Sequence, residues 1–181
     1  MLKEKIIVDN NKRLLFVGDI HGNFDVFNYA LKSIGFNKND ILVSVGDLID
    51  RGEQNIEVLS FFIHTKNAYG VFGNHEAFAI KASLYDMKKE RNIWLGNGGW
   101  WSRSYDELFI KGMMKAIYKK FRYALELKYQ GYKIGVCHAE YPFDDWDREL
   151  TKKDTHELVW SRIFVEKQYS NRIVKNVDFL I

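Results

Sequence analysis

Apolar positions along this chain fall into two periods. The runs Arg13-Leu14-Leu15-Phe16-Val17 and Ile41-Leu42-Val43-Ser44-Val45 are short, continuous and rich in branched residues, the pattern of strands covered on both faces. Residues 68–72 form a third such run. Between them, residues 25–34 place Val26, Phe27, Ala30, Leu31 and Ile34 at helical spacing, with Gly35 as the stop. Residues 56–63, 77–87 and 105–121 predict further helices. Residues 123–129 and 132–136, joined by Gln130-Gly131, predict a hairpin. Residues 155–168 predict a helix with Thr155 as N-cap, and residues 177–181 a last strand. Strands alternating with helices argue for an α/β domain.

The chain has 181 residues and a single proline, Pro142, with no Ser/Gly-rich linker and no internal repeat. The expectation is one domain spanning residues 1–181. A hydrophobic fraction of 46% supports a packed core, and 13 Phe, 10 Tyr and 5 Trp make that core aromatic. The net charge of +3 is too mild for a nucleic-acid binder. No apolar run reaches the ~18 residues of a membrane span, and the mixed charges of residues 1–9 do not read as a signal peptide. The one cysteine, Cys137, excludes an internal disulfide framework and reads as a buried strand residue. A cytoplasmic protein is expected.

The chemistry sits where strands end. Gly18-Asp19-Ile20-His21-Gly22 follows the first predicted strand and Gly46-Asp47-Leu48-Ile49-Asp50-Arg51-Gly52 the second. Gly73-Asn74-His75-Glu76 follows the third, and Cys137-His138-Ala139 the hairpin. Ligands of α/β sheets collect at the carboxyl ends of strands. Oxygen and imidazole donors without thiolate suit Mn, Fe or Zn. Asp19 and His21, two residues apart on an extended segment, leave the same face and can grip one ion together. A single Gly-Asp-x-His-Gly has a chance expectation on the order of 10⁻³ in a chain of this length. Three such motifs in order, each at a strand end, are not coincidence. The alternative for these residues, satisfied turn positions, does not call for His or paired carboxylates.

These motifs resemble those of the phosphoprotein phosphatases within the calcineurin-like metallophosphoesterase superfamily. Leu95-Gly96-Asn97-Gly98-Gly99-Trp100 and residues 137–144 extend the likeness toward its phage-like members. The resemblance implies a β-sandwich core flanked by helices and two divalent ions, Mn2+ first among the candidates. It implies that Asp19, His21 and Asp47 hold one ion and Asp47, Asn74 and His138 the other. A hydroxide bridging the ions attacks phosphorus in this family. His75 is implied as general acid, Asp50 as the carboxylate orienting it, and Arg51 and Arg162 as phosphate-binding residues. The substrate implied is a phosphoserine or phosphothreonine protein, with phosphotyrosine and small phosphoesters behind it.

The family places one more ligand histidine in a Gly-His-Thr-like motif after a later strand, and no such motif follows residues 177–181. The expectation is therefore a C-terminally incomplete domain whose sheet lacks its last strands. Its second metal site would have three protein ligands and impaired activity, and its open sheet edge would favour self-association. Two other readings stay open: a dinucleoside polyphosphate hydrolase, which shares the three motifs, and a catalytically degenerate metal- and phosphate-binding remnant. A cysteine-phosphatase role fails because the residue six positions after Cys137 is Phe143, and Asp145-Trp146-Asp147 does not match an aspartyl-phosphate motif. His64 and His156 read as structural or exposed, the five tryptophans as core or cleft wall, and Lys88-Lys89-Glu90-Arg91 as a solvated face with a lesser chance of docking acidic phosphopeptides.

Overall fold

The computed structural model describes residues 1–162 and 172–181. Two sheets face each other. One is parallel, in the order β2(Arg13–Val17)-β3(Asp40–Ser44)-β4(Ala68–Gly70). The other is mixed, in the order β1(Lys3–Ile7)-β5(Ala124–Tyr129)-β6(Tyr132–Val136)-β7(Phe179–Leu180). Residues alternate between faces along a strand. Ile41 and Val43 of β3 therefore meet Leu125, Leu127, Ile134 and Val136 of the second sheet, closing the apolar layer of a β-sandwich. Leu42 faces the other way, into the core formed with α1(Phe24–Ser33), α2(Asn55–His64) and α5(Glu107–Lys120). Strand β3 is buried along its whole length, as its unbroken apolar run predicts.

Several sequence expectations need correction. Strand β1 escapes the periodicity because three of its five residues, Lys3, Glu4 and Lys5, are charged, and each is used. The Lys3 ammonium covers Trp146 and donates to its carbonyl, Glu4 pairs with Arg122, and Lys5 pairs with Glu126. Helix α3(Asn74–Leu84) begins three residues before the predicted start at 77. The Glu76 carboxylate accepts the backbone N–H of Gly73 at 2.9 Å, satisfying a donor at the helix N-terminus. A separate helix, α4(Lys88–Gly96), occupies the lysine-rich stretch read as a solvated face and buries Trp94 and Leu95. Asp106 caps α5, accepting from Leu108 N and Phe109 N. Thr155 is not an N-cap. A 3₁₀ turn, Lys152–Asp154, precedes α6(Thr155–Trp160), and Thr155 Oγ1 donates to the Lys152 carbonyl. Residues 163–168 of the predicted helix lie outside the described residues. Cys137 is buried, and burial pushes its thiol up to about 12. Among the described residues no helix is long and apolar enough to cross a membrane.

A bidentate pair fastens α1 to the parallel sheet. Arg13 donates to both oxygens of Asp40, at 2.7 and 2.9 Å, and to the carbonyls of Ile34 and Gly35 just past the helix end. Asp40 is buried, and the Arg13 guanidinium holds its carboxyl below the usual carboxylate range. A depressed native pKa contributes stability that is present above the unfolded value and lost as pH falls through the native one. Arg13→Ala should therefore be less stable than the parent chain at neutral pH and unfold in acid at a higher midpoint pH, with the stability difference shrinking as pH falls through the native Asp40 pKa. Circular dichroism against pH tests this. A midpoint that does not move would show that the pair does not hold the helix.

Candidate active site

All the predicted site residues stand at one rim of the sandwich. The β2 and β3 exits are laced by main-chain bonds: Ile20 N and His21 N both donate to the Asp47 carbonyl, and Gly52 N to the His21 carbonyl. Glycine is required where the loops touch. A Cβ on Gly73 would stand 2.0 Å from Asp47 Oδ1, and one on Gly46, at φ +103°, 2.5 Å from Gly73 N. Four site residues themselves adopt positive φ: His21 (46°), Asp47 (51°), Asp50 (76°) and Arg51 (70°). Each such conformation costs about 1–3 kcal/mol and persists only where the surroundings impose it.

The imposing group is Glu76. Its side chain is wholly buried and accepts Asp47 N and Gly73 N on one oxygen, and Leu48 N and Ile49 N on the other. Burial and the neighbouring Asp47 charge push its pKa up to about 8, against the downward pull of the Gly73 and Leu48 N–H groups. All these partners are donors, so the arrangement is that of the ionised carboxylate, and a cation beside Asp47 would favour that form.

The ring nitrogens are oriented from behind. His21 Nδ1 lies 2.9 Å from the Ile49 carbonyl and His138 Nδ1 2.8 Å from that of Val45. Both rings therefore donate through Nδ1 and turn an Nε2 lone pair inward, the tautomer of metal-ligating histidines. The Asp47 Oδ2 atom lies near three imidazole Nε2 atoms, 3.8 Å from that of His21, 3.6 Å from that of His138 and 3.9 Å from that of His75. Among the described residues two donor groups emerge, His21/Asp47/His75 and Asp19/Asp47/His138, with donor atoms within 4.8 Å in each. Asp47 belongs to both, the place a shared ligand must take. Asn74 Oδ1 adds a further oxygen 3.2 Å from His138 Nε2. Oxygen and imidazole donors, no sulfur, and a buried Asp47 carboxylate beside the exposed Asp19 fit a pair of divalent cations. The grouping differs from expectation in two respects. Asp19 falls with His138 as well as 3.8 Å from His21, and His75, expected as the general acid, falls with His21 and Asp47. Arg51 Nη1 lies 2.8 Å from His21 Nε2.

His75 opens α3 and is buried, and its Nδ1 lies 2.7 Å from Asp50 Oδ2. Burial lowers its pKa, but the Asp50 hydrogen bond and the Asp47 and Asp50 charges outweigh this and hold it above the ordinary value. Its Nε2 faces Arg51 Nη2 at 3.2 Å. Asp50, fully buried, also accepts the indole N–H of Trp94 (2.9 Å) and of Trp101 (2.7 Å), and its own N–H donates to Asn55 Oδ1. Sequence reasoning missed Glu76, Asn55, Trp94 and Trp101. Glu76 stands third in its helix, the capping-box position, and that spacing is a usable signal. The two indoles reach Asp50 from 44 and 51 residues away, and no local pattern marks them.

The Asp19, Asn74 and His138 side chains line a cavity of about 570 Å³. Arg162, exposed, stands on its wall beside Trp160 and Ser161. His64 and His156 are exposed and lie apart from the cluster.

Glu76→Ala should strand the Asp47, Leu48, Ile49 and Gly73 N–H groups in a dry interior, at a cost of about 3 kcal/mol or more. Chemical denaturation should show that loss, and calorimetric titration should show weakened divalent-cation binding. A variant with unchanged stability would mean that the loops are held by something else.

Residues 12–179 match the family described as calcineurin-like phosphoesterase. The chain is 33% identical over 160 residues to serine/threonine-protein phosphatase 2 of Salmonella typhimurium, covering 85% of this chain and 70% of that protein. It is 41% identical over 78 residues to the symmetrical bis(5'-nucleosyl)-tetraphosphatase of Buchnera aphidicola, covering 41% of this chain and 28% of that one. Its fold superposes on a protein serine/threonine phosphatase of Saccharomyces cerevisiae with TM-score 0.60 and 17% identity, covering 88% of this chain and 52% of that structure.

Proposed function

This chain belongs to the calcineurin-like phosphoesterase family, and on that footing we propose that it hydrolyses phosphoserine and phosphothreonine monoesters in proteins with two bound divalent ions, Mn2+ first among them. The observation that carries the reading is the buried Asp50–His75 pair, aimed at the space between Asp47 and Arg51. Asp19, His21, Asp47, Asn74 and His138 are the ion-holding set. When bound, such ions supply Lewis acidity and acidify water for attack on phosphorus. Arg51 directs two N–H groups into the same space, the fork that grips two phosphoryl oxygens, with Arg162 as a second anchor across the cavity. His75, protonated, gives its Nε2 proton to the leaving ester oxygen as the P–O bond breaks. Asp50 holds the Nδ1–H and favours the imidazolium, while Trp94 and Trp101 hold Asp50. The products are an alcohol and inorganic phosphate.

The likeness to the protein phosphatase runs over 85% of the chain, against 41% for the tetraphosphatase, which favours a phosphoprotein substrate. Hydrolysis of dinucleoside polyphosphates is the second reading, because the same ion-holding set can serve attack on a phosphoanhydride as on a phosphomonoester.

Manganese-dependent release of p-nitrophenol from p-nitrophenyl phosphate is the direct test, with phosphopeptide and diadenosine tetraphosphate run in parallel. Loss of one general acid is worth roughly 10²–10⁴ in rate. His75→Ala should lose that factor on a phosphoserine peptide and much less on p-nitrophenyl phosphate, whose leaving group needs no proton. Equal activity of His75→Ala and the parent chain on the peptide would remove the acid from the mechanism.

Trp101→Phe removes one charge-assisted bond from Asp50. It should lower kcat on phosphoserine peptide about tenfold with KM little changed, equivalent to about 1.4 kcal/mol. It should spare p-nitrophenyl phosphate. An equal loss on both substrates would indicate general disorder of the site rather than misplacement of His75.

A further inference from the structure

Beside the reaction centre lies a second hollow, of about 330 Å³, that shares Asn74, Val159 and Trp160 with the main cavity. Its floor is apolar, with Phe78 set edge-on against Trp160 at 5.5 Å between ring centroids. Its rim is basic: Lys81 on α3, Lys89 on α4 and His156 on α6, against a single acid, Glu90. Lys81 and Lys89 make no ion pair with any described residue. That leaves an uncompensated positive edge leading away from a site for phosphate.

The spacing along α3 gives this edge a distance. Asn74, Phe78 and Lys81 stand at i, i+4 and i+7, one stripe of a helix that starts at the reaction centre. Seven residues of helix rise about 10.5 Å. An extended peptide advances about 3.4 Å per residue, so Lys81 lies about three substrate residues from the phosphorylated one. Resting on the proposed phosphoprotein activity, we infer that this groove is a specificity subsite for an acidic side chain three residues from the phosphoserine or phosphothreonine. The apolar floor carries the intervening residues, and Lys81 with Lys89 binds the carboxylate. A solvated lysine serving only the C-terminal end of α3 would affect stability and leave substrate choice alone.

The test uses the full chain loaded with Mn2+ and three phosphoserine peptides: alanine-flanked, Asp at +3, and Asp at −3. One of the acidic peptides should exceed the alanine peptide about three- to tenfold in kcat/KM, the scale of exposed charge pairs. The advantage should vanish in 0.5 M salt and in the double variant Lys81→Glu/Lys89→Glu. That variant should leave p-nitrophenyl phosphate hydrolysis unchanged. Fluorescence anisotropy of the labelled acidic peptide gives a readout independent of turnover, with Kd expected to weaken by the same factor in the variant. No preference between peptides, or a preference that the double variant retains, overturns the inference while leaving the phosphatase reading intact. Absence of hydrolysis of every phosphomonoester overturns the phosphatase reading, and anisotropy then still decides whether the groove binds acidic peptide. If the variant instead lowers turnover of diadenosine tetraphosphate and spares the peptides, the groove belongs to a nucleotide.

Discussion

One buried carboxylate holds the reaction centre together. The two oxygens of Glu76 take four main-chain N–H groups, three from the loop leaving β3 and one from the loop leaving β4. Main-chain donors turned away from water must find acceptors. A helix N-terminus needs acceptors too, and Glu76 meets both needs at once. The loop that carries Asp47, Asp50 and Arg51 is thereby tied to the helix that carries Asn74 and His75.

The strain in those loops has a purpose that the geometry makes visible. Four non-glycine residues with left-handed backbone, His21, Asp47, Asp50 and Arg51, lie in the segments that carry the proposed ion-holding, orienting and phosphate-binding groups. Such conformations turn side chains toward a common point that ordinary strand exits would not reach. Gly46 and Gly73 let the main chains approach within contact, and the Asp47 side chain sits where a Cβ on Gly73 would be.

Behind the reactive histidine the same economy continues outward. His75 is set by Asp50, Asp50 by two indole N–H groups and by Asn55, and the indoles by a helix and a 3₁₀ turn packed on the sandwich. A fully buried carboxylate with this many donors is held in one orientation, the property an orienting group needs. In front of the histidine the surface is open, with one cavity beside Asp19, Asn74 and His138 and a basic groove beyond Trp160. The histidine thus stands between a buried, fully partnered carboxylate and an open surface.

Sequence alone was enough for the donor types, their order along the chain and their place at strand exits. Strand runs such as residues 41–45 and the glycine-flanked motifs after them are local features, governed by burial and backbone freedom within a few residues. It was not enough for β1, whose charged residues are each satisfied by distant partners, nor for α4, whose lysines conceal a buried tryptophan. Tertiary packing alone decided that Asp19 falls with His138, that Glu76 joins two loops, and that Trp94 and Trp101 clamp Asp50. Those contacts join residues tens of positions apart, and their strength comes from exclusion of water, which no window of sequence contains.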